Sequence, residues 1–415
     1  MARMLFTVAM AVTTLASAAF ANAPHFVHLK ALNKYDRTKI VEMGVSIEAL
    51  ATDSVYGLAS DSVLERLKKS DIKIMETFLA KPPEGVTDFP SEDSRFHNYD
   101  RMTKALDDLV AAHGDIMRKF SIGKTLQGRE MWAVQVNTGK ETLNAKDGAV
   151  SVKPGIVFMG NHHAREHVSA EIPLMLLEYL AKNYGVDKDI TALLDKRDIY
   201  VIPMVNADGV EFDISTGEYK YQRKNMRPNG SGHIGVDLNR NYGFKWGTGG
   251  SSTDPSSDVY MGPNAFSEPE TQNIKAFVEG HPNLKVLLTF HTFSELILYP
   301  WGHKYDAVEN KEDLATFEVM GKKMAEWNKY TPEQSSGLYI ASGDTVDWAY
   351  GSLGIFAFTF ELSPKEMYDG GFYPGAGVLD KVFEDNLRPA LYLIDLADNP
   401  HRAKSQTAGD FEWLH

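Results

Sequence analysis

The chain has 415 residues, of which 43% are hydrophobic, and it carries a formal net charge of −13. The length and apolar content are typical of a soluble globular protein with a sizeable core, whereas the acidic charge and the lack of any Lys/Arg-rich run argue against a nucleic-acid partner. No cysteine is present, which excludes disulfides, thiolate metal sites and a cysteine nucleophile, so any metal must be bound by nitrogen and oxygen.

The N-terminal segment has the pattern of a secretory signal peptide. Arg3 precedes an apolar run, Met4 to Ala21, that ends in small residues. We expect a signal peptide at residues 1–21, although an uncleaved anchor stays open because the run is almost long enough to span a membrane. The sequence therefore predicts a secreted or periplasmic protein that is free of the membrane after signal removal.

Residues 22–80 predict a small α+β module. Short apolar runs typical of strands, such as KIVEMGV and IKIMETF, alternate with one helical stretch, SDSVLERLKKS, that Ser60 or Asp61 would cap. A module of this size is marginally stable alone, so we expect it to pack against a larger domain. Residues 81–95 combine Pro, Gly and acids without periodicity and predict an exposed linker that is open to proteolysis.

Residues 96–399 predict one α/β domain, followed by a polar tail at residues 400–415. The strand candidates are EMWAVQVN, GIVFMG, DIYVIPMVN, LKVLLTFH, ILYPW and IFAFTFEL, and the helix candidates are YDRMTKALDDLVAAHG, SAEIPLMLLEYLAKNY, SEPETQNIKAFVEG and LDKVFEDNLRPALYLIDLAD. Strands that are apolar on both faces favour a mixed, largely parallel sheet covered by helices on both faces. The Gly-rich residues 227–266 predict a long irregular loop of the kind that is usually functional.

The motif NHHAREH, residues 161–167, offers more metal ligands than one ion needs. One hypothesis takes it as H-x-x-E-H, with His163 and His167 binding zinc from one helix and Glu166 as general base. The other uses only His163 and Glu166. The motif directly follows GIVFMG, so its first residues should lie in a strand-to-helix loop, and LKVLLTFH ends on His291 in the same way. This context favours the second hypothesis, in which His163, Glu166 and His291 surround one zinc ion with a fourth position open.

Five separated motifs occur in one order between residues 96 and 397: NHHAREH, GVDLNRN, FHTFSELILYPWG, YIASGDTVDWAY and FTFEL. In this order they resemble zinc metallocarboxypeptidases of the pancreatic carboxypeptidase A/B type, including secreted bacterial members similar to carboxypeptidase T. The resemblance implies the zinc carboxypeptidase-like fold, one Zn²⁺ per chain, and hydrolysis of the C-terminal bond of peptides and proteins. The leading module resembles a propeptide of such enzymes only loosely.

The resemblance also implies roles for single residues. The implied zinc ligands are His163, Glu166 and His291. For catalysis it implies Glu361 as the general base, Arg223 as the stabiliser of the oxyanion, and Asp237 as the carboxylate that orients His163. For the substrate it implies a carboxylate clamp of Asn239 and Arg240, a mobile phenol at Tyr339, and a further arginine, Arg165, lining the cleft.

Two residues bear on the side chain that the enzyme would prefer. Val346 occupies the position at which basic-specific relatives carry an acid, so the resemblance implies an apolar pocket floor. Asp344 departs from the usual small residue and could pair with a Lys or Arg side chain, or could instead cap the helix predicted over DTVDWAY. We expect broad specificity that prefers apolar and aromatic ends and tolerates basic ones.

An alternative function within the same fold is a zinc amidase acting on cell-wall peptides. Such an enzyme would keep the zinc ligands and alter the carboxylate clamp, so the joint presence of Asn239, Arg240 and Tyr339 favours the carboxypeptidase. The small leading module and the linker also suggest a zymogen, in which the module shields the cleft until an activating protease cuts the chain.

Overall fold

The computed structural model describes residues 25–79, 88–139, 142–143 and 150–406. The predicted signal peptide, the first part of the predicted linker and the end of the polar tail lie outside these residues. The strands of the described ranges are β1 His25–Lys30, β2 Ser46–Leu50, β3 Ser54–Ala59, β4 Ile74–Leu79, β5 Met117–Lys124, β6 Glu130–Val136, β7 Thr142–Leu143, β8 Val150–Ser151, β9 Gly155–Met159, β10 Asp198–Ile202, β11 Leu284–Thr292, β12 Leu296–Tyr299, β13 Thr331–Gln334 and β14 Phe356–Leu362. The helices are α1 Lys34–Glu42, α2 Asp61–Lys68, α3 Tyr99–Ala112, α4 Val168–Asn183, α5 Lys188–Leu194, α6 Ala207–Asp213, α7 Pro269–Glu279, α8 Lys311–Asn328, α9 Thr345–Leu353 and α10 Leu379–Leu396.

The N-terminal module is an antiparallel sheet in the order β2-β3-β1-β4, with α1 and α2 packed on a small core of its own. Ser60 caps α2 by accepting a hydrogen bond from the Val63 amide. The stretch KIVEMGV does not form the expected strand. Its first four residues are instead the last residues of helix α1. Asn33 starts this helix by accepting from the amides of residues 35 and 36, and Ile40 and Val41 bury its apolar side.

The larger domain is built on an eight-stranded mixed sheet in the order β13-β12-β14-β11-β9-β10-β6-β5. The four strands β14, β11, β9 and β10 are parallel to one another, so their carboxyl ends meet at one edge. The fold prediction is confirmed. No helix within the described part of the chain is long and apolar enough to cross a membrane.

Helices cover both faces of this sheet, and a separate apolar core lies under each layer. In β9, Phe158 belongs to the core beneath α4, α8 and α10, whereas Val157 belongs to the core beneath α7 and α9. Successive strand residues point to opposite faces, so burial on both sides requires the continuous apolar runs seen in the sequence.

The segment at residues 88–98, here called the strap, leads into helix α3 of the larger domain. It is exposed at Ser91, Glu92, Ser94 and Arg95, as the linker prediction had it, but it is also packed on the domain, because Phe89 and Phe96 lie in the domain core. Asp93 is buried, accepts a hydrogen bond from the Ala376 amide at 2.7 Å and receives the Tyr219 hydroxyl. The strap is therefore a structural part of the larger domain.

Candidate metal centre and substrate cleft

The histidine-rich motif lies in a loop at the carboxyl edge of the sheet. Strand β9 ends at Met159 and helix α4 begins only at Val168, so residues 160–167 connect them. Asn161 has a left-handed backbone (φ 58°) and its amide group donates to the carbonyls of His163 and Ala164. This loop and the end of β11 are neighbours because β9 and β11 are paired in parallel.

Three side chains converge there into a compact buried group. His163 Nδ1 lies 2.7 Å from Glu166 Oε1, and His291 Nδ1 lies 2.9 Å from Glu166 Oε2. One atom from each of the three residues falls within 4.8 Å of the others, and no second group of this kind occurs in the described ranges. His167 instead contacts Asp213 at 2.8 Å, so the hypothesis of a two-histidine helical clip is wrong.

The chemistry of this group fits zinc. Two imidazole nitrogens and one carboxylate are an established zinc donor set that leaves a fourth position open. His163 Nε2 lies 3.1 Å from Asp237 Oδ1, which leaves Nδ1 for the metal and fixes the ring. His163, Glu166 and His291 would therefore hold one zinc ion.

The charges around the group keep its acids ionised. Burial alone would raise the pKa of Glu166, but the imidazoles of His163 and His291 hold it below its usual value. Burial likewise opposes ionisation of Asp237, whose pKa Arg223 nevertheless lowers strongly. Arg223 Nε donates to Asp237 Oδ2 at 3.0 Å, and its Nη1 lies 3.9 Å from Glu166 Oε1. Arg223 thus stands beside the metal group with its direction fixed by Asp237.

An open cleft of about 810 Å³ lies over this edge of the sheet. Most of the sequence-derived site residues line it together: His163, Glu166, Arg223, Asn239, Arg240, Tyr339, Asp344 and Glu361. Glu361 reaches the cleft because it is paired with His291 across the parallel strands β14 and β11. Burial and the Glu166 carboxylate raise the pKa of Glu361 well above its usual value, against the influence of Arg223.

A short turn after Asp237 presents the predicted carboxylate clamp. Arg240 Nε donates to the Gly250 carbonyl and Nη1 donates to the Asn239 carbonyl, but no carboxylate among the described residues forms an ion pair with Arg240. The Asn239 amide oxygen accepts from the Thr345 amide at 2.9 Å, so the NH₂ group is its free polar end. A guanidinium and an amide NH₂ side by side suit a carboxylate ligand.

Gly343, in the loop before α9, allows that loop to pack against the turn that carries Arg240. It has a φ of +72°, and a Cβ there would stand 2.6 Å from the Arg240 carbonyl. The lack of a side chain lets the loop before α9 pack directly on the clamp, which the hydrogen bond from the Tyr242 amide to the Gly343 carbonyl confirms.

Asp344 and Val346 lie in different environments: Asp344 lines the cleft, whereas Val346 is in the core. Asp344 caps α9 by accepting from the Asp347 amide at 2.7 Å, and it also lines the cleft; burial and Asp347 raise its pKa well above the usual value. Val346 is not among the residues lining the cleft but lies in the core beneath α9. The expectation that Val346 forms the pocket floor is not met.

Arg165 also lies outside the cleft lining and is fully buried. Its guanidinium contacts Glu48 at 2.6 Å, Asp258 at 3.3 Å and the ring of Phe372 at 4.3 Å from the centroid. Glu48 belongs to β2 of the N-terminal module, and residues 47–50 line the cleft. Glu48 was not predictable from the sequence, because only the docking of two separate sheets brings it to Arg165.

The module also contacts the loop that carries Tyr339. Arg37 in α1 donates to the carbonyls of Gly337 and Leu338, and Thr38 accepts from the Ile340 amide at 3.0 Å. These bonds flank Tyr339 on both sides. The module therefore contacts both the buried Arg165 and the backbone around Tyr339.

Comparison with known proteins agrees with this geometry. The family described as zinc carboxypeptidase matches residues 102–389. A zinc carboxypeptidase of Saccharothrix mutabilis subsp. capreolus is 35% identical over 322 residues, covering 76% of this chain and 70% of that protein. Carboxypeptidase A2 of Rattus norvegicus is 31% identical over 314 residues, covering 74% and 71%. The crystal structure of carboxypeptidase A from Helicoverpa armigera is similar in fold, with a TM-score of 0.73 over 93% of this chain and 99% of that chain at 22% identity.

Proposed function

The chain belongs to the zinc carboxypeptidase family and is a zinc-dependent metallocarboxypeptidase, and on that premise we propose that it removes single residues from the C-terminus of peptides through the residues described above. One observation carries this assignment of residues. Arg240, whose guanidinium forms no ion pair with an acid in the described part of the chain, lies in the same cleft as the metal group and Glu361. A free chain terminus is the ligand that completes such an arrangement.

Substrate binding comes first in the proposed mechanism. Arg240 holds both oxygens of the terminal carboxylate and Asn239 donates beside it, so that the last peptide bond lies next to the metal group. Tyr339 covers the terminal residue and keeps bulk water away from it.

The chemical step uses an acid–base residue and a fixed cation. When bound, zinc polarises the carbonyl and lowers the pKa of water at the site to about 7. Glu361 accepts the proton of the attacking water and passes it to the leaving amine, and its raised pKa suits this exchange. Arg223 stabilises the oxyanion, a contribution of about 3 to 4 kcal/mol for such donors.

Incubating a defined peptide with the protein and following the products by mass spectrometry tests this function. We expect stepwise loss of single residues from the carboxyl end, abolished by a chelator and restored by zinc. Release of internal fragments, or a cell-wall tripeptide cleaved in preference to linear peptides, would favour a different hydrolase of this fold.

We further propose a broad specificity in which apolar and aromatic terminal residues are preferred and basic ones are accepted. Leu296 and Leu298 form an apolar part of the cleft wall, whereas Asp344 contributes a carboxyl group to it. Because Asp344 is also a helix cap with a raised pKa, we expect it to be a weak partner for Lys or Arg until such a side chain enters and favours its ionised form.

We propose that the protein is exported by the segment at residues 1–21 and made as a zymogen activated by another protease. Support for latency comes from the module: residues 47–50 of β2 line the cleft and Glu48 pairs with Arg165, while Arg37 and Thr38 hold the backbone beside Tyr339. A substrate could not enter without displacing these contacts. The cleft would open when the module is cut away.

A further inference from the structure

A buried carboxylate outside the cleft lining is bonded to His167, the residue that follows Glu166. Asp213, the last residue of α6, is fully buried and is not among the residues lining the cleft. Its Oδ2 lies 2.8 Å from His167 Nε2, and its Oδ1 accepts from the amides of Lys220 and Gln222 at 3.1 and 2.8 Å. The proposed mechanism gives it no task.

A tyrosine completes this group. The Tyr373 hydroxyl lies 3.1 to 3.2 Å from both oxygens of Asp213 and accepts from the Tyr221 amide at 3.1 Å. Tyr219 stacks on the Tyr373 ring at 3.9 Å. Three consecutive backbone amides, those of residues 220–222, therefore end on one carboxylate and one phenol.

The opposite edge of this short segment is bonded to the metal loop. The carbonyl of Gln222 accepts from the Arg165 amide at 2.8 Å, and that of Arg223 accepts from the Ala164 amide at 3.1 Å. Asp213 thus holds the segment that ends in Arg223, and through His167 it also holds the residue next to Glu166. Tyr221 has a left-handed backbone (φ 57°), a conformation that costs free energy outside glycine and persists only where surrounding bonds fix it.

We propose that Asp213 is a positioning residue that sets Arg223 against the metal loop, with Tyr373 as its support. The inference rests on the proposed function, since it acts through the oxyanion-stabilising role of Arg223. Removing the Asp213 side chain would take away the acceptor of the Gln222 amide and one of the two acceptors of the Lys220 amide. It would also remove the partner of the Tyr373 hydroxyl, which holds the Tyr221 amide, so the segment would be free to shift. The guanidinium would then meet the oxyanion in a poorer geometry, whereas Asn239 and Arg240 would bind the substrate as before.

The test compares kcat and KM of the full chain, processed by limited proteolysis to maximal activity, for the wild type, Asp213→Ala, Arg223→Ala and the double variant. We expect Asp213→Ala to lower kcat by about 10- to 100-fold with little change in KM and one zinc per chain retained. In the Arg223→Ala background the same substitution should cost almost nothing further, because the group it positions is gone. An equal loss in both backgrounds, or no loss in kcat, would overturn the proposal.

Two further variants separate positioning from stability. Asp198 is a buried carboxylate at the amino end of β10 that accepts from Tyr200 and Gln135, so Asp198→Ala should lower Tm and leave kcat unchanged. If Asp213→Ala does not fold, Tyr373→Phe removes the support with the ring retained, and its smaller loss in kcat must again vanish in the Arg223→Ala background. A wild type that releases no terminal residue would contradict the proposed function. If the wild type is active and Arg223→Ala is impaired, but Asp213→Ala or Tyr373→Phe still lowers kcat equally in the Arg223→Ala background, only the inference about Asp213 is contradicted.

Discussion

Glu361 and His291 are direct partners across two parallel strands, and this register delivers a carboxylate and an imidazole to the same point of the cleft. A shift by one residue would turn Glu361 to the other face of the sheet. The proximity of side chains at the carboxyl ends of neighbouring parallel strands can therefore be predicted from the sequence. The same rule pairs His163 with His291 from the sequence alone, because each follows or ends one of two neighbouring parallel strands.

Replacing Glu361 by Gln should lower kcat by about 10²- to 10⁴-fold, because the amide cannot accept the proton. KM and zinc content should stay near the wild-type values, since Glu361 does not belong to the metal group. Steady-state kinetics with metal analysis checks this, with Glu366→Gln on the exposed following loop as the control. In the wild type the acid limb of kcat/KM should lie above about pH 4.3, the ordinary glutamate pKa, because the pKa of Glu361 is raised. A limb below that value would contradict the assignment.

Asp344→Asn tests specificity at the same scale. We expect release of terminal Lys and Arg to fall relative to terminal Phe and Leu, because the amide keeps the helix cap but loses the charge. Competition assays on peptides that differ only in the last residue measure the ratio. An unchanged ratio would show that Asp344 serves only as the cap.

Some residue assignments could not be reached from the sequence. The resemblance implies that Val346 forms the pocket floor, but Val346 packs in the core beneath α9. The resemblance likewise implies that Arg165 lines the cleft, yet Glu48 and Asp258 bind it in a buried position. For Arg165 the deciding contact, Glu48, comes from a distant part of the chain.

At the scale of elements, apolar periodicity predicted most of the central sheet, because strands buried on both faces leave continuous apolar runs. It failed for KIVEMGV, where the Asn33 cap and two buried residues make a helix. It also did not predict α8, whose buried face mixes the apolar Phe317, Met320 and Met324 with Thr316, Gly321 and Asn328. Local patterns define an element well only when its environment is uniformly buried or clearly one-sided.

The strap offers a pH test at this scale. His97 donates its amide to Glu171 Oε1, and its ring lies 2.8 Å from Glu171 Oε2. Burial opposes the charge, yet Glu171 raises the pKa of His97 above its usual value. Stability from this pair is therefore fully present below about pH 6.5, the unfolded value, and is lost as pH rises through the raised pKa.

We expect the Tm of the wild type to fall as the pH rises from about 6.5 through the raised pKa of His97, and this fall to be smaller in His97→Gln. Thermal unfolding across the range measures it. Identical pH profiles of the two proteins would mean that the pair does not anchor the strap.

At the scale of the whole molecule, the N-terminal module and the cleft face each other through buried polar contacts. Glu48 lies in the module and Arg165 in the larger domain, and both are buried. Breaking one partner of such a pair leaves an uncompensated charge in the interface. The sequence predicted a module that packs on a larger domain, but only the structure shows which surface it covers.

Glu48→Gln should therefore weaken latency. We expect the uncut variant to be more active than the uncut wild type, and both to reach the same activity after limited proteolysis. Glu76→Gln, which changes an exposed acid on β4 of the same module, should behave like the wild type. A wild type that is as active before cutting as after it would rule out the zymogen.

The central claim is that one cleft joins a zinc group to a clamp for a free chain terminus. The most direct measurement compares two peptides that are identical except for a C-terminal carboxylate or a C-terminal amide. We expect stepwise shortening of the peptide with the free carboxylate and no shortening of the peptide with the C-terminal amide over the same time. Equal cleavage of the two peptides would show that Arg240 and Asn239 do not select the substrate.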